Sequence, residues 1–329
     1  MSSSIERFWY RKDVLRWFFW PLSYLISLFA RLKRLMFILG ITRNYKSRLP
    51  VVVVGNISVG GTGKTPFIQF LVAELAKKNI KAGIVSRGYG AKINNFPHLV
   101  DESDNAKMVG DEVYMLYRQT GVPIAISPKR SEAVKLIETI SDLDLIISDD
   151  GLQHYAMDRQ YEYALVDGQR GLGNRLMLPF GPLREPVSRL KSVDQVIVNG
   201  KSEEALSGLT TRNVQIEVVG LVHIKSGEQV TLSNLSEHSV TAVAGIGNPD
   251  RFFKTLAEHK TSFNSMVFDD HHDFCAEDFD KISSEIVVMT EKDSVKCLPF
   301  AKENWYFLKI RMKGGEQIIH QLINRILEH

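Results

Sequence analysis

Cysteine is almost absent: Cys275 and Cys297 are the only two in a chain of 329 residues. They form neither a disulfide framework nor a zinc-ligand spacing, which excludes a stapled secreted scaffold and fits a reducing cytoplasm. No N-K-x-D guanine signature occurs. The nearest string, Thr290-Glu291-Lys292-Asp293, sets its lysine directly before the aspartate, which argues against a GTP-binding switch. There is no internal repeat and no low-complexity tract. Long apolar runs are missing too. The stretch Trp17 to Ala30 holds fourteen uncharged residues before Arg31, Lys33 and Arg34 interrupt it, and a membrane-spanning helix needs about 20. The "ARLKR" that follows is a poor signal-peptide cleavage site.

That N-terminal region mixes basic charge with aromatic residues. Residues 1–50 contain ten Lys or Arg against two acids, a net +8, while the remainder of the chain is −5. A helix here, with Pro21 as a kink point, would lie in a membrane interface. Its Trp and Phe would sit at the acyl boundary and its Arg and Lys on anionic headgroups. The alternative is a helix that packs its apolar face on its own domain. Nucleic acid is a poor partner for a basic cluster interleaved with so much apolar surface.

The strongest chemical signal is "VVVVGNISVGGTGKTP", residues 51–66. Val51 to Val54 is a β-branched run suited to a strand buried on both faces. It leads into a loop of the G-x-x-x-x-G-K-[ST] phosphate-binding type, with Ser58 where the template has glycine. Gly60, Gly61 and Gly63 permit positive φ and let backbone N–H groups point at an anion. Lys64 would reach the β- and γ-phosphates of ATP, and the Thr65 hydroxyl would bind Mg²⁺. Pro66 suits the start of a helix. The nucleotide cradle is therefore expected over Ser58, Val59, Gly60, Gly61, Thr62, Gly63, Lys64 and Thr65. The G-G-x-G-K-T phasing is that of a loop branch used by partitioning and chaperone-type ATPases, which usually carries a lysine before the first glycine. Val59 stands there instead. An ATPase switch at the membrane is the rival reading.

Beyond Leu49, strands and helices alternate. Strand segments are 51–54, 82–86, 123–127, 143–148, 161–166 and 193–198, and helical patterns fall near 66–78, 110–119 and 129–140. Repeated β-α units predict an α/β fold of the P-loop NTPase kind: a mostly parallel sheet with helices on both faces and ligands beyond the carboxyl ends of its strands. Near residue 213 the texture changes to two β-segments around Ser226-Gly227, followed by a smaller α/β unit. The expected organisation is a membrane-associated helix over 1–48, a P-loop core over 49–215, and a β-linker with a smaller C-terminal lobe over 216–329. A hinge is expected around 213–235.

Acids gather where the fourth of these strands ends. "LDLIISDDG" closes on Asp149 and Asp150, and adjacent carboxylates at a strand end can serve as metal holder and hydroxyl orienter. Which of the two touches Mg²⁺ is left open. "MVGDEVYML" puts Asp111 and Glu112 at a helix start, where capping and the helix dipole favour acids anyway. "FDDHHDF" sets His271 and His272 among aspartates, and a histidine oriented by a carboxylate is a general-base arrangement. "GNRLMLPFGPLREPVSRL" is a proline-rich loop carrying Arg175, Arg184 and Arg189, suited to a lid or anion clamp. Asn174, Arg184 and Glu185 are the substrate-loop candidates within it. "SRGYG" offers Arg87 at a strand end.

Taken in order, "GNISVGGTGKTP", "SRGYG", "VGDE", "DDGLQH", "LPFGPLREP", "AGIGNPDRFF", "DDHH" and "VMTEKDSVKC" resemble the tetraacyldisaccharide 4′-kinases, the lipid A 4′-kinases of Gram-negative bacteria. Family loops also lack glycine at the Ser58 position. The chain departs where the family often has glycine at Arg175 and a smaller residue at Phe180. The resemblance implies ATP- and Mg²⁺-dependent phosphorylation of the 4′-hydroxyl of a tetraacylated glucosamine disaccharide 1-phosphate, forming lipid IV-A. It implies a two-lobed peripheral enzyme on the cytoplasmic face of the inner membrane, with no obligate protein partner. By the same resemblance Asp111 and His271 form a dyad that readies the lipid hydroxyl, while Lys64, Asp149 and Asp150 organise Mg²⁺ and the reacting groups. His271 is preferred to His272 because some family members keep only the first.

Overall fold

The computed structural model describes residues 8–10, 16–201, 206, 209, 211–259 and 262–327. The described strands are β1 (Val51–Gly55), β2 (Ala82–Ser86), β3 (His98–Leu99), β4 (Ile124–Ile126), β5 (Leu145–Asp149), β6 (Tyr161–Asp167), β7 (Gln195–Asn199), β8 (Thr211–His223), β9 (Gln229–Val230), β10 (Val240–Ala244), β11 (Asn264–Val267), β12 (Ile286–Thr290) and β13 (Trp305–Lys313). The helices are α1 (Arg16–Ile38), α2 (Lys64–Ala76), α3 (Ala106–Val109), α4 (Asp111–Thr120), α5 (Arg130–Ile137), α6 (Pro249–Glu258), α7 (Glu291–Cys297) and α8 (Glu316–Leu327). The six strand segments marked in the sequence agree with β1, β2 and β4 to β7 within two residues at each end.

All the strands belong to one sheet, in the order β11-β10-β12-β13-β8-β7-β6-β1-β5-β2-β4-β3, with β9 on β8. Pairing is parallel except at β3/β4, β8/β9 and β8/β13. The run of four valines explains the place of β1. Val52 and Val54 join the core beneath α2, with Phe67, Ile68 and Leu71, while Val51 and Val53 join the opposite core with Ala133 and Val134 of α5. A strand apolar on both sides needs a helix on each face, and each face supplies one.

The expected boundary at 215/216 falls inside a continuous strand. β8 runs parallel to β7 through Thr211–Val214 and then antiparallel to β13 from Gln215 to His223. One strand therefore serves both halves of the sheet.

α1 is a single helix of 23 residues that passes through Pro21. Its domain-facing side is mixed and its outward side strongly apolar. Ser23 and Ser27 are buried against the domain, while Trp17, Phe18 and Phe29 are 65%, 79% and 72% exposed. Packing of its apolar face on its own domain, the alternative weighed from the sequence, describes only the side on which Ile26 and Ala30 meet the core and Phe19 meets Phe180. No described helix is long and apolar enough to cross a membrane.

Candidate functional site

The phosphate loop joins β1 to α2, and its glycines are placed by conformation. Gly60 and Gly63 hold left-handed φ values of +99° and +92°, and Gly63 caps α2. A β-carbon on Gly63 would come within 2.5 Å of Asn199 Nδ2. Ser58 has another task, which accounts for the missing glycine. It forms an antiparallel bridge with Leu183, and the neighbouring Val59 N–H donates to the Pro182 carbonyl at 2.8 Å. The Arg184 N–H donates to the Ile57 carbonyl at 2.7 Å. The loop's first positions are thus extended and stitched to the 182–185 segment, so the Val59 amide is committed to protein. Thr62 is buried, its hydroxyl accepting from Asn56 Nδ2 at 3.4 Å and its carbonyl from Asn199 Nδ2 at 3.2 Å. A cleft lies over the turn, lined by Tyr10, Ser58 to Thr62, Asp167, Arg170 and Gly171. Asn199 and Asp167 are in turn held by Arg251 of α6, at 3.4 and 3.2 Å. Neither Asn199 nor Arg251 stood out in the sequence. The one signal was "AGIGNPDRFF", which contains Arg251.

Lys64 opens α2 and points at the paired acids. Its Nζ lies 3.5 Å from Asp150 Oδ1, and Arg184 Nη1 lies 2.7 Å from Asp150 Oδ2. Burial works to raise the Asp150 carboxyl, and these two cations override it, leaving it below its ordinary range. Asp149 is treated differently. It accepts from Ser86 Oγ at 2.9 Å, and burial, then Asp150 and Glu112, push it up to about 6 against Arg130 and Lys64. Two neighbouring acids are thereby split into one that is firmly ionised and one poised near neutrality.

The donor set suits Mg²⁺. Two carboxylates and the Thr65 hydroxyl are hard oxygen donors, and Asp150 Oδ1 is buried without a hydrogen-bond partner. Among the described residues no cluster of three or more His, Cys, Asp or Glu forms a complete metal cage. Mg²⁺ is commonly held by one or two carboxylates together with substrate phosphates.

Asp149 yields a stability prediction. Its folded value of about 6 lies above the ordinary 3.8. The wild type therefore has its full share of stability from this group below about pH 4 and loses it as pH rises through about 6. Replacement by asparagine removes the buried charge. At pH 8 the ligand-free variant should gain roughly 1–3 kcal/mol against urea, with the gain vanishing toward pH 4. Urea titrations at the two pH values measure it.

Behind the acids lies Arg130, also missed from the sequence because it reads as an ordinary helix-start cation. It is buried, donates from Nη2 to the Asp149 carbonyl at 2.5 Å, and leaves Nε and Nη1 without hydrogen-bond partners. Burial lowers it to about 10. His154, from "DDGLQH", is lowered to about 4 by burial and by the charges of Arg130 and Arg87. The His154 imidazole is thereby held neutral near a buried guanidinium.

The two halves of the sheet meet at Asp111. It is the first residue of α4 and is buried, and its Oδ2 lies 3.0 Å from His271 Nδ1. Burial works to raise the Asp111 carboxyl, but the His271 hydrogen bond and the Lys292 charge leave it below its ordinary range. That same hydrogen bond raises His271 against burial and Lys292. His271 sits at φ +63° in the left-handed region, a conformation histidine tolerates better than most side chains. His272 goes elsewhere: its Nε2 lies 2.9 Å from Asp278 Oδ2, and its ring packs tilted on Phe268 and edge-on to Phe274.

In the proline-rich loop, Arg184 is the candidate that reaches the acids. Asn174 is buried and spent within the loop, donating to the Phe180 carbonyl at 2.9 Å and accepting from the Leu176 N–H at 3.0 Å. Glu185 is buried as well, accepting from the Tyr155 hydroxyl at 2.7 Å and facing Arg189 at 3.3 Å. Arg175 has φ +64°, where a glycine would be unstrained. Phe180 stacks on Phe19 of α1 at 4.7 Å, which gives the larger side chain a partner.

The profile of the family described as "Tetraacyldisaccharide-1-P 4'-kinase" matches residues 15–328. The chain belongs to this family. A tetraacyldisaccharide 4'-kinase of Psychromonas ingrahamii is 42% identical over 98% of each chain. One of Francisella tularensis subsp. novicida is 44% identical over 94% of this chain and 98% of its own. Among solved structures, an LpxK of Aquifex aeolicus in complex with ATP matches with a TM-score of 0.80 at 27% identity, covering 95% of this chain and all of that one. Membership in a kinase family sets aside the ATPase-switch reading.

Proposed function

We infer that this chain transfers the γ-phosphoryl group of ATP to the 4′-hydroxyl of a tetraacylated glucosamine disaccharide 1-phosphate, giving lipid IV-A. The observation that carries hydroxyl phosphorylation, as opposed to ATP hydrolysis alone, is the 3.0 Å Asp111–His271 pair. The family supplies the identity of the acceptor. The phosphate loop positions the triphosphate, with Lys64 on the β- and γ-phosphates. Asp149, Asp150 and Thr65 would hold Mg²⁺, which when bound spreads charge over the phosphate oxygens. Asp111 accepts a hydrogen bond from the His271 Nδ1–H and leaves Nε2 as the base. Nε2 takes the proton of the sugar hydroxyl, the new oxygen–phosphorus bond forms, and ADP departs with the electron pair of the broken one.

Arg184 belongs to the substrate side of this reading, bridging the acids and the proline-rich loop, with Asn174 and Glu185 as supports that keep the loop in shape. Movement of the C-terminal half about β8 admits the acceptor. The exposed Trp17, Phe18, Trp20 and Phe29 of α1 support a peripheral site on the anionic, cytoplasmic face of the inner membrane. The test is a transfer assay with radiolabelled ATP and a panel of glycolipid and protein acceptors, with and without anionic vesicles. Label should appear on the tetraacylated disaccharide phosphate alone, faster with vesicles. Label released only as free phosphate would overturn the reading.

A further inference from the structure

The string Thr290-Glu291-Lys292-Asp293 has so far had no chemical role, yet it joins the two halves at the dyad. Thr290 ends β12 and caps α7, its Oγ1 accepting from the Asp293 N–H at 3.1 Å. Asp293 is fully buried and its Oδ2 also accepts from the Gly245 N–H at 2.9 Å. These bonds fix the first turn of α7. Glu291 faces Lys309 of β13 at 3.4 Å. Lys292 points the other way, toward α4. Its Nζ lies 3.0 Å from Glu112 Oε1, 3.4 Å from Asp270 Oδ1, 3.8 Å from Asp111 Oδ2 and 3.3 Å from His271 Nε2. A cation in the first turn of a helix opposes the helix dipole, so its place there is maintained by these partners.

An ammonium group has three donors and no acceptor. A hydrogen bond from it to His271 Nε2 uses a lone pair on that nitrogen, which leaves the ring proton on Nδ1, donated to the Asp111 carboxylate. A doubly protonated imidazole would set two like charges 3.3 Å apart. We propose that Lys292 is a positioning residue of the phosphoryl-transfer site: it fixes the Nδ1–H form of His271 and keeps Nε2 open for the incoming sugar hydroxyl, which displaces it. The proposal rests on the kinase reading above and extends it to the residue that sets the base. Asp111 and Lys292 act on the imidazole in opposite senses. Asp111 makes it more basic, and Lys292 keeps that basicity from being spent on a solvent proton. The other charged or polar groups facing the ring are Glu112 from α4, Lys296 from α7 acting through Asp111, Asp270 from its own loop and the Tyr89 ring at 5.4 Å.

The test uses the full chain labelled with ¹⁵N in its histidines. In the wild type above its titration midpoint, the neutral His271 ring should carry its proton on Nδ1. In Lys292→Met the His271 titration midpoint should rise by about one pH unit, because a neighbouring cation has been removed. The acid limb of kcat, measured with Mg-ATP and the tetraacylated disaccharide 1-phosphate, should rise with it. That gives about a tenfold loss on the acid side, a largely preserved alkaline plateau and an unchanged KM for ATP. Lys292→Arg should restore most of the wild-type profile. If Lys292→Met does not fold, Lys292→Gln, which keeps a polar side chain in place without the charge, should move the midpoint and the limb in the same direction. An unmoved midpoint and limb, or a uniform loss across all pH values, overturns the proposal. A wild type that never phosphorylates the glycolipid overturns the kinase reading instead, and the ¹⁵N titration still decides the role of Lys292.

Discussion

Replacing Asp111 by asparagine is expected to lower kcat about a thousandfold while leaving the fold and the KM for ATP nearly unchanged. The magnitude is that of losing a positioned general base. Asparagine keeps the size and shape of the buried side chain, so α4 still starts in place. It cannot provide the anion that His271 needs. With the carboxylate gone, the imidazole loses the hydrogen bond that raises its basicity and can present a proton, where a lone pair is required, at Nε2. Glu112 and Asp270 still neutralise Lys292, at 3.0 and 3.4 Å, so no buried cation is left unpaired. Steady-state kinetics with the lipid acceptor and a thermal melt measure both halves of the expectation. A fully active variant would remove the dyad from the mechanism.

The second large effect is at Lys64. Lys64→Met is expected to lower kcat/KM by about 10²–10³-fold through lost stabilisation of charge on the transferring phosphoryl group. Affinity for ATP should weaken in parallel. The variant should fold, since the lysine sits at the first turn of α2 and the apolar stem of methionine fills similar space. Asp150 keeps its bond to Arg184 at 2.7 Å, so one of the two cations that hold it ionised remains. Nucleotide titration by fluorescence or calorimetry, with the transfer assay beside it, reads both effects. Unaltered ATP binding would mean that the triphosphate does not lie on this loop.

The elements that were legible in the chain are those whose causes are local. Four consecutive valines predict a doubly covered strand, and β1 is buried on both faces by α2 and α5. Pro66 and the apolar pattern after it predict a helix from about residue 66, and α2 begins two residues earlier, at Lys64. Ser58 was the exception to a local template, and its explanation is not local: it pairs with Leu183, which no spacing rule connects to it. Arg130 looked like any surface cation until its position under Asp149 was seen. Asn199 reaches the phosphate loop directly, and Arg251, from the other half of the chain, reaches it only through Asn199.

From the sequence alone, then, came the class of fold, the phosphate loop, the paired acids and an aromatic, basic N-terminus, because each is written in contiguous residues whose side-chain period and backbone preferences act over a few positions. The partners of those residues were decided only by the tertiary structure. Asp111 meets His271 and Lys292 because β8 pairs with β7 at one end and β13 at the other, carrying both halves of the chain in one sheet. Burial then does what no sequence window records. It separates Asp149 from Asp150 in acidity, turns Ser23 and Ser27 of α1 inward and most of its aromatics outward, and gives a lysine in the first turn of a short helix its place against the His271 imidazole.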